Sequence, residues 1–179
     1  MKLRIAAVAL SGLLAGCAVP QVVRESSPST QLQGVYTYAV AGHDLPLRVH
    51  GAPFSTAPAV LEEVASQELS KGGLLRPLPH VTAHPDASAL RGYAVVLDFA
   101  DQPLADPCAL FEDAAAPATR RPVVVEASFC IAGRAWVQVR GSAQADGPDE
   151  ADFRTMLRLV ASEMFRQDEY QGGNGDNTP

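Results

Sequence analysis

The chain has 179 residues, of which 20 are Asp or Glu and 14 are Lys or Arg, giving a formal charge of −6. An acidic chain gains nothing from counterion release on nucleic acid, and its charge does not draw it to anionic lipid. Composition therefore argues against a nucleic-acid partner and against charge-driven membrane adsorption. The length suits a single domain with short extensions.

The first sixteen residues have the pattern of a signal peptide. Lys2 and Arg4 precede an apolar run over residues 5–14, and small residues close the run before a cysteine. The run is about half of the roughly 20 residues that a membrane-spanning helix needs, which favours a cleaved signal over a permanent anchor. Cleavage at some other small residue is the alternative.

The sequence Leu14-Ala15-Gly16-Cys17 resembles the lipobox of bacterial lipoprotein precursors. The resemblance implies cleavage before Cys17, a diacylglycerol on its sulfur and an acyl chain such as palmitate on its new amine. One acyl chain binds a bilayer only marginally, whereas three would hold firmly. Ala18 stands where an Asp would resemble the signal for inner-membrane retention, which favours the periplasmic leaflet of the outer membrane.

Composition divides the remainder into three segments. Residues 17–33 are polar and rich in Pro, Ser and Thr, which predicts a lipidated, flexible tether. Residues 34–170 form the predicted domain, and residues 171–179 lack apolar side chains and are expected to be disordered. Losing Lys2 and Arg4 with the signal leaves 12 basic and 20 acidic residues, a formal charge of −8.

The pattern along the domain predicts the element order ββαββββα. Residues 35–41 and 45–49 read as a hairpin, and a helix follows with Ser55 or Thr56 as its cap, Pro58 in its first turn and Gly72-Gly73 at its end. Strands are expected near 78–83, 93–99, 123–131 and 135–139, because apolar residues alternate there. The last helix is expected to start at Pro148, with Asp149 as its cap. Its apolar stripe comprises Phe153, Met156, Leu157, Val160 and Met164. These elements predict an α+β, two-layer sandwich, with a mostly antiparallel sheet of five or six strands and two helices on one face.

Two features predict how the later strands are tied together. Cys108 and Cys130 form an even pair in an exported domain, which predicts a disulfide; two separate buried thiols are the alternative. The disulfide would brace a long proline-rich loop over residues 101–121. A three-residue turn at 132–134 would set Phe129 opposite Val137, Glu126 opposite Arg140 and Trp136 opposite Cys130.

The sequence contains no recognisable catalytic or cofactor motif. His80 and His84 are four residues apart, but prolines bracket them, and in an extended segment they would lie about 13 Å apart, too far for one metal ion. We find no nucleophile elbow, phosphate loop or dinucleotide fingerprint. No cofactor and no metal site are therefore predicted, and the absence of motifs favours a non-enzyme.

The face of the sheet turned away from the helices is the candidate contact surface. Alternation places Glu126, Trp136, Gln138 and Arg140 on that face, together with Val96, Val124 and Ser128. Trp is enriched among the residues that dominate interface energies. Packing of Trp136 on the disulfide and the long loop is the alternative.

The layout resembles small outer-membrane lipoproteins of Gram-negative bacteria, which implies an accessory or assembly role. The leading hypothesis is a tethered binding module for another envelope component, with an envelope protein as partner. The alternatives are a small envelope hydrolase acting near His43, His50 or His84, and an inhibitor-type lipoprotein that uses the 101–121 loop. Clustering of those histidines in a cleft with a carboxylate would favour the hydrolase.

Overall fold

A computed structural model describes residues 19–26, 32–73, 77–109 and 121–166. Its elements in chain order are β1 (Gln21–Ser26), α1 (Leu32–Val40), β2 (Asp44–His50), α2 (Pro58–Gly72), β3 (His80–Thr82), β4 (Tyr93–Asp98), β5 (Val123–Ile131), β6 (Arg134–Ala143) and α3 (Ala151–Met164). The predicted signal peptide, Cys17, the tail at 171–179 and part of the 101–121 loop lie outside the described residues.

The described strands form one open sheet with the order β1-β6-β5-β4-β2-β3. The pairings β1–β6, β6–β5 and β5–β4 are antiparallel, whereas β2 runs parallel to both of its neighbours. Buried residues of all three helices pack in one cluster with one face of this sheet. The predicted α+β class and mostly antiparallel sheet are confirmed, with a third helix added to the expected two.

Alternation along the central strands is as predicted. The side chains that meet the helices are completely buried, and they include Val95, Leu97, Val125, Phe129 and Val137. The predicted stripe of α3 is buried against them along its whole length. On α2, Leu61, Val64 and Leu69 are buried, but Val60 is 43% exposed, so its predicted place on the apolar face was wrong.

Residues 35–41, predicted as a strand, lie almost entirely in helix α1. The β-branched and aromatic residues favour a strand locally, but burial decides the outcome. Tyr36, Ala39 and Val40 have the i, i+3, i+4 spacing of one helix face, and all three are buried. The Tyr36 hydroxyl donates a hydrogen bond of 3.2 Å to the Pro77 carbonyl, which anchors the helix to the chain beyond α2.

Residues 21–26, expected within a flexible tether, form the edge strand β1 instead. Gln21 lies opposite Ser142 and Val22 packs against the main core. Arg24 donates hydrogen bonds to the carbonyls of Glu163 at 2.9 Å and Arg166 at 2.7 Å, at the end of α3. A cation at this position suits the negative end of the helix dipole.

The predicted helix caps differ from the observed ones. Helix α2 is preceded by Ala57, whose side chain makes no cap, although Pro58 does stand at its start and Gly72 at its end. Helix α3 is preceded by Glu150 rather than Asp149. The Asp149 carboxylate instead accepts a hydrogen bond of 2.6 Å from Arg154, so a side-chain pair replaces the expected cap.

The β5–β6 hairpin reaches the predicted register by a different route. Phe129 lies opposite Val137 and Glu126 opposite Arg140, as expected, but Ile131 pairs with Arg134 across a two-residue turn. Ala132 and Gly133 have φ of 49° and 75°, the positive values that a tight hairpin turn of this type requires. A register shift then pairs Cys130 with Ala135, so Trp136 is the extra residue of a bulge. The predicted pairing of Trp136 with Cys130 was wrong.

A candidate binding groove on the open face of the sheet

Four polar side chains lie in a row across the face of the sheet opposite the helices. Register places Arg140 beside Glu126, Glu126 beside Asp98, and Asp98 beside His50. Neighbouring strands are about 4.8 Å apart, so the row spans roughly 14 Å. The row begins with a guanidinium, continues with two carboxylates and ends with an imidazole.

The two carboxylates of this row are on directly opposed residues, which is unfavourable unless each is neutralised. Glu126 Oε1 lies 2.8 Å from Arg140 Nη1, and the side chain of Glu126 remains 22% exposed. Asp98 has its own partners on the other side, so the two acids are held apart by different bonds. Each carboxylate is therefore held in place by a partner at its own end of the row.

Asp98 is the most thoroughly bonded acid of the groove. Its Oδ1 lies 2.9 Å from His50 Nδ1 and accepts from the amide of Ala100 at 2.9 Å, while Oδ2 accepts from the amide of Leu104 at 2.6 Å. The side chain is only 1% exposed. A carboxylate only accepts, so Nδ1 of His50 carries a proton here. Asp98 thus fixes both the His50 ring and the start of the loop that follows β4.

That loop forms one wall of the groove. Pro103, Leu104 and Pro107 face the polar residues of the sheet across a cavity of about 200 Å³. The polar lining consists of Glu25, Asp98, Glu126, Ser128, Gln138 and Arg140. Asp98 is buried and already bonded, so the carboxylates that can accept hydrogen bonds from a ligand are Glu126 and the exposed Glu25.

A disulfide holds the loop in place. Cys108 and Cys130 are joined with a Cα–Cα distance of 5.6 Å, so the predicted disulfide is confirmed and its alternative of separate thiols is not. Both half-cystines are buried with Ala94 and Val96 on the open face. The Asp106 carboxylate accepts a hydrogen bond of 3.1 Å from the Cys108 amide, which fixes the approach to the bridge.

Gly51 lets β2 and the loop approach closely. Its φ is 79°, and a Cβ at this position would lie 2.7 Å from the amide nitrogen of Ala100. Both the backbone conformation and the contact require glycine. The start of the loop can therefore lie directly against the end of β2, next to His50.

The structure brings together three of the four residues predicted for the contact face. Glu126, Gln138 and Arg140 line the groove, but Trp136 packs against the main core and is only partly buried. The bulge explains the difference, because one extra residue breaks the alternation from which the prediction was made. Ala135, expected toward the helices, packs instead beside the disulfide.

Glu25 and Asp98 were not predicted to belong to this surface. Glu25 comes from the segment expected to be a tether, and it lies at a register shift of β1. Asp98 follows the alternation of β4, and with Val95 and Leu97 facing the core its outward direction could have been inferred. Its role in fixing the loop could not have been inferred, because the two backbone amides that donate to Asp98 lie in a loop whose sequence has no periodicity.

His43 and His80 lie at the opposite end of β2 from His50. His43 directly precedes β2, and its Nδ1 is 2.8 Å from the Ser88 carbonyl. His80 begins the neighbouring strand β3, and its Nδ1 is 2.6 Å from Asp44 Oδ1 at the start of β2. His50 ends the same strand about 20 Å away, six residues along. Within the described ranges, no group of three or more His, Cys, Asp or Glu could hold a metal ion.

Comparison with known proteins adds a loose structural likeness only. No protein-family model matches the chain, and no curated protein sequence matches it. The chain is similar to the PelC dodecamer from Paraburkholderia phytofirmans, with 15% identity, a TM-score of 0.44, and coverage of 83% of this chain and 99% of that one. A point variant of that PelC gives 14% identity and a TM-score of 0.43 over the same shares. Values this low assign no function to the present chain.

Among the described residues, no helix has the length and apolar character that a bilayer crossing requires.

Proposed function

We propose that the chain is a lipid-anchored protein of the bacterial envelope that binds another envelope component through the open-face groove. The anchor is the acylated Cys17, and the favoured location is the periplasmic leaflet of the outer membrane. The groove carries the proposal, because it holds a partly exposed ion pair, Glu126–Arg140, beside a wall fixed by a disulfide. Polar side chains held in place before binding lose little conformational entropy when a partner docks.

The groove favours a partner protein that presents amide or basic side chains. Glu25 and Glu126 can accept hydrogen bonds, and the prolines and Leu104 offer an apolar edge. A pocket of this kind suits one or two anchoring side chains rather than a large cofactor.

The positions of His43 and His50 favour the binding module over the hydrolase alternative. His50 has an orienting carboxylate, Asp98, but His43 lies at the far end of β2. The described part of the 101–121 loop, residues 101–109, supports the inhibitor alternative no better. Leu104 and Cys108 bind it to the sheet, whereas an inhibitory loop would need to project.

Site-specific photo-crosslinking in living cells tests the proposal. A photoreactive amino acid replaces Gln138, which lines the groove, or Gln67, which is exposed on α2 and serves as the matched control. We expect a discrete adduct with one envelope protein from position 138 and none from position 67. Adding Glu126→Gln should lower the yield about tenfold, as expected for one charge-assisted hydrogen bond of roughly 1.5 kcal/mol. Equal adducts from both positions, or no adduct from position 138, would contradict a binding groove.

A further inference from the structure

The first described strand begins very close in sequence to the proposed lipid site. Gln21 is the first residue of β1, and Cys17 precedes it by four positions. A fully extended chain spans at most about 3.6 Å per residue, so Gln21 cannot lie more than roughly 14 Å from an acylated Cys17. A 16-residue flexible tether would have allowed several times that distance.

β1 is firmly attached to the rest of the domain. It pairs with β6 from Gln21 to Ser26, Val22 packs against the core, and Arg24 binds the carbonyls at the end of α3. Because β1 is fixed in the sheet, the position of the anchor limits where the whole sheet can lie. The domain cannot move away from the membrane without breaking these bonds.

The register identifies which end of the domain is near the anchor. Gln21 lies opposite Ser142, and β5 begins there too, since Val124 also lies opposite Ser142. The ends of β4 and β2 lie on the same side, because Asp98 is opposite Glu126 and beside His50. The membrane-facing end is thus made by residues 51–58, 99–100, 121–123 and 143–150.

We infer that this end of the sheet lies directly against the lipid headgroups, with the Ala132–Gly133 turn pointing away from them. The inference rests on the proposed function, because it needs the anchor at Cys17. It also places the groove: Arg140 lies opposite Val23, only two residues into β1, so the groove is within roughly 20 Å of the bilayer. A partner that binds at the groove therefore docks close to the membrane surface.

Charge does not create this contact. The exposed stretch at residues 55–60 carries no charge, and the exposed acids Asp146 and Asp149 would be repelled by anionic lipid. The anchor alone sets the distance. A Cys17→Ser chain should consequently fail to sediment with vesicles that contain anionic lipid.

The single tryptophan of the chain makes the orientation measurable. Trp136 is six residues along β6 from Ser142, so it lies about 20 Å farther from the membrane than the anchored end. Gln144 is exposed and follows the end of β6 at the anchored end. A tryptophan at 144 and the native one at 136 are therefore near and far donors on the same strand axis.

The experiment measures energy transfer from tryptophan to a dansyl-labelled phosphatidylethanolamine in vesicles that carry the lipidated full-length chain. The wild type provides the far donor, and Trp136→Phe combined with Gln144→Trp provides the near donor. We expect transfer at least about threefold stronger from position 144, since the steep distance dependence amplifies a difference of roughly 20 Å. If Trp136→Phe fails to fold, Gln144→Trp with Trp136 retained gives the near contribution by subtraction.

Two controls separate the possible failures. A 15-residue Gly-Ser insert between Ala18 and Val19 should remove most of the near signal, because it frees the domain from the surface. Equal transfer from both positions in the lipidated chain, before any insertion, would overturn the orientation while leaving the anchor intact. Absence of lipid on Cys17 by mass spectrometry would instead overturn the anchor and, with it, this inference.

Discussion

A buried acid on one helix faces three basic side chains, two of which lie on another helix. Glu68 on α2 is 2% exposed, and it lies 3.1 Å from Lys71, 2.9 Å from Arg154 and 3.3 Å from Arg158. Burial alone raises the pKa of Glu68, but the hydrogen bonds from Lys71 and Arg154 and the charge of Arg158 outweigh it, so the pKa is lowered. The acid therefore stays ionised and joins α2 to α3.

Replacing Arg154 with Met should destabilise the domain by about 1–3 kcal/mol, because the buried carboxylate loses its best-placed donor. Arg166→Met is the matched control, since Arg166 pairs with Glu163 three residues earlier in the chain and is half exposed. The control should change stability by less than about 0.5 kcal/mol. Urea denaturation of both variants measures the difference, and equal losses would mean that Glu68 does not join the helices.

Asp44 predicts how stability depends on pH. The amide of Asp86 and the ring of His80 hold the pKa of Asp44 below its usual value. A carboxyl with a lowered folded pKa stabilises the native state above its unfolded pKa, about 3.9, and loses that contribution as pH falls through the folded value. Asp44→Asn should therefore cost about 1 kcal/mol at neutral pH, and the gap to wild type should close below about pH 4.

The control for Asp44 is Asp152→Asn, which alters an exposed acid in the first turn of α3. It should cost less than about 0.5 kcal/mol at neutral pH. Thermal unfolding from pH 3 to pH 7 compares the two variants with wild type. A gap for Asp44→Asn that widens toward acid would refute the assignment.

At the scale of elements, the β5–β6 hairpin shows how a short turn and a bulge work together. A two-residue turn alone would shift the register by one, pair Phe129 with Trp136, and place Phe129 and Val137 on opposite faces of the sheet. The bulge at Trp136 absorbs the shift, so Phe129 and Val137 still meet. The turn is strained at Ala132, because an alanine with φ of 49° is in the left-handed region.

Two substitutions in this turn should have opposite effects. Ala132→Asn should stabilise the domain by about 0.5–1 kcal/mol, since Asn tolerates positive φ far better than Ala. Gly133→Ala should destabilise it by about 1 kcal/mol; no atom lies within 4 Å of the added Cβ, so only backbone strain contributes. Chemical denaturation measures both, and a stabilising Gly133→Ala would contradict the turn.

The elements that the sequence predicts best are those with local periodicity. The stripe of α3 and the alternation in β4 and β5 recur every few residues, and both are confirmed. β1 and α1 were predicted wrongly because their partners are distant in sequence. Arg24 meets carbonyls some 140 residues later, and Tyr36 is buried against Phe165, with ring centroids 4.7 Å apart. Local propensity cannot anticipate contacts of that range.

Across the whole molecule, the groove was only partly predictable, because part of it depends on contacts between residues that are distant in sequence. Alternation correctly placed Glu126, Gln138 and Arg140 on one face, because each strand segment keeps its period up to the bulge. The loop wall depends on backbone hydrogen bonds to Asp98 and on the disulfide, neither of which has a periodic signal. A site built from a sheet face and a loop is therefore recognisable from sequence only on its sheet side.

In the proposed function, lipid on Cys17 holds the domain to a membrane. Mass spectrometry of the N-terminal peptide, taken from chain purified out of the membrane fraction, tests it directly. We predict a peptide that begins at Cys17, lacks residues 1–16 and carries a diacylglycerol and an amide-linked acyl chain. An unmodified peptide, or one that begins at any other residue, would contradict the claim.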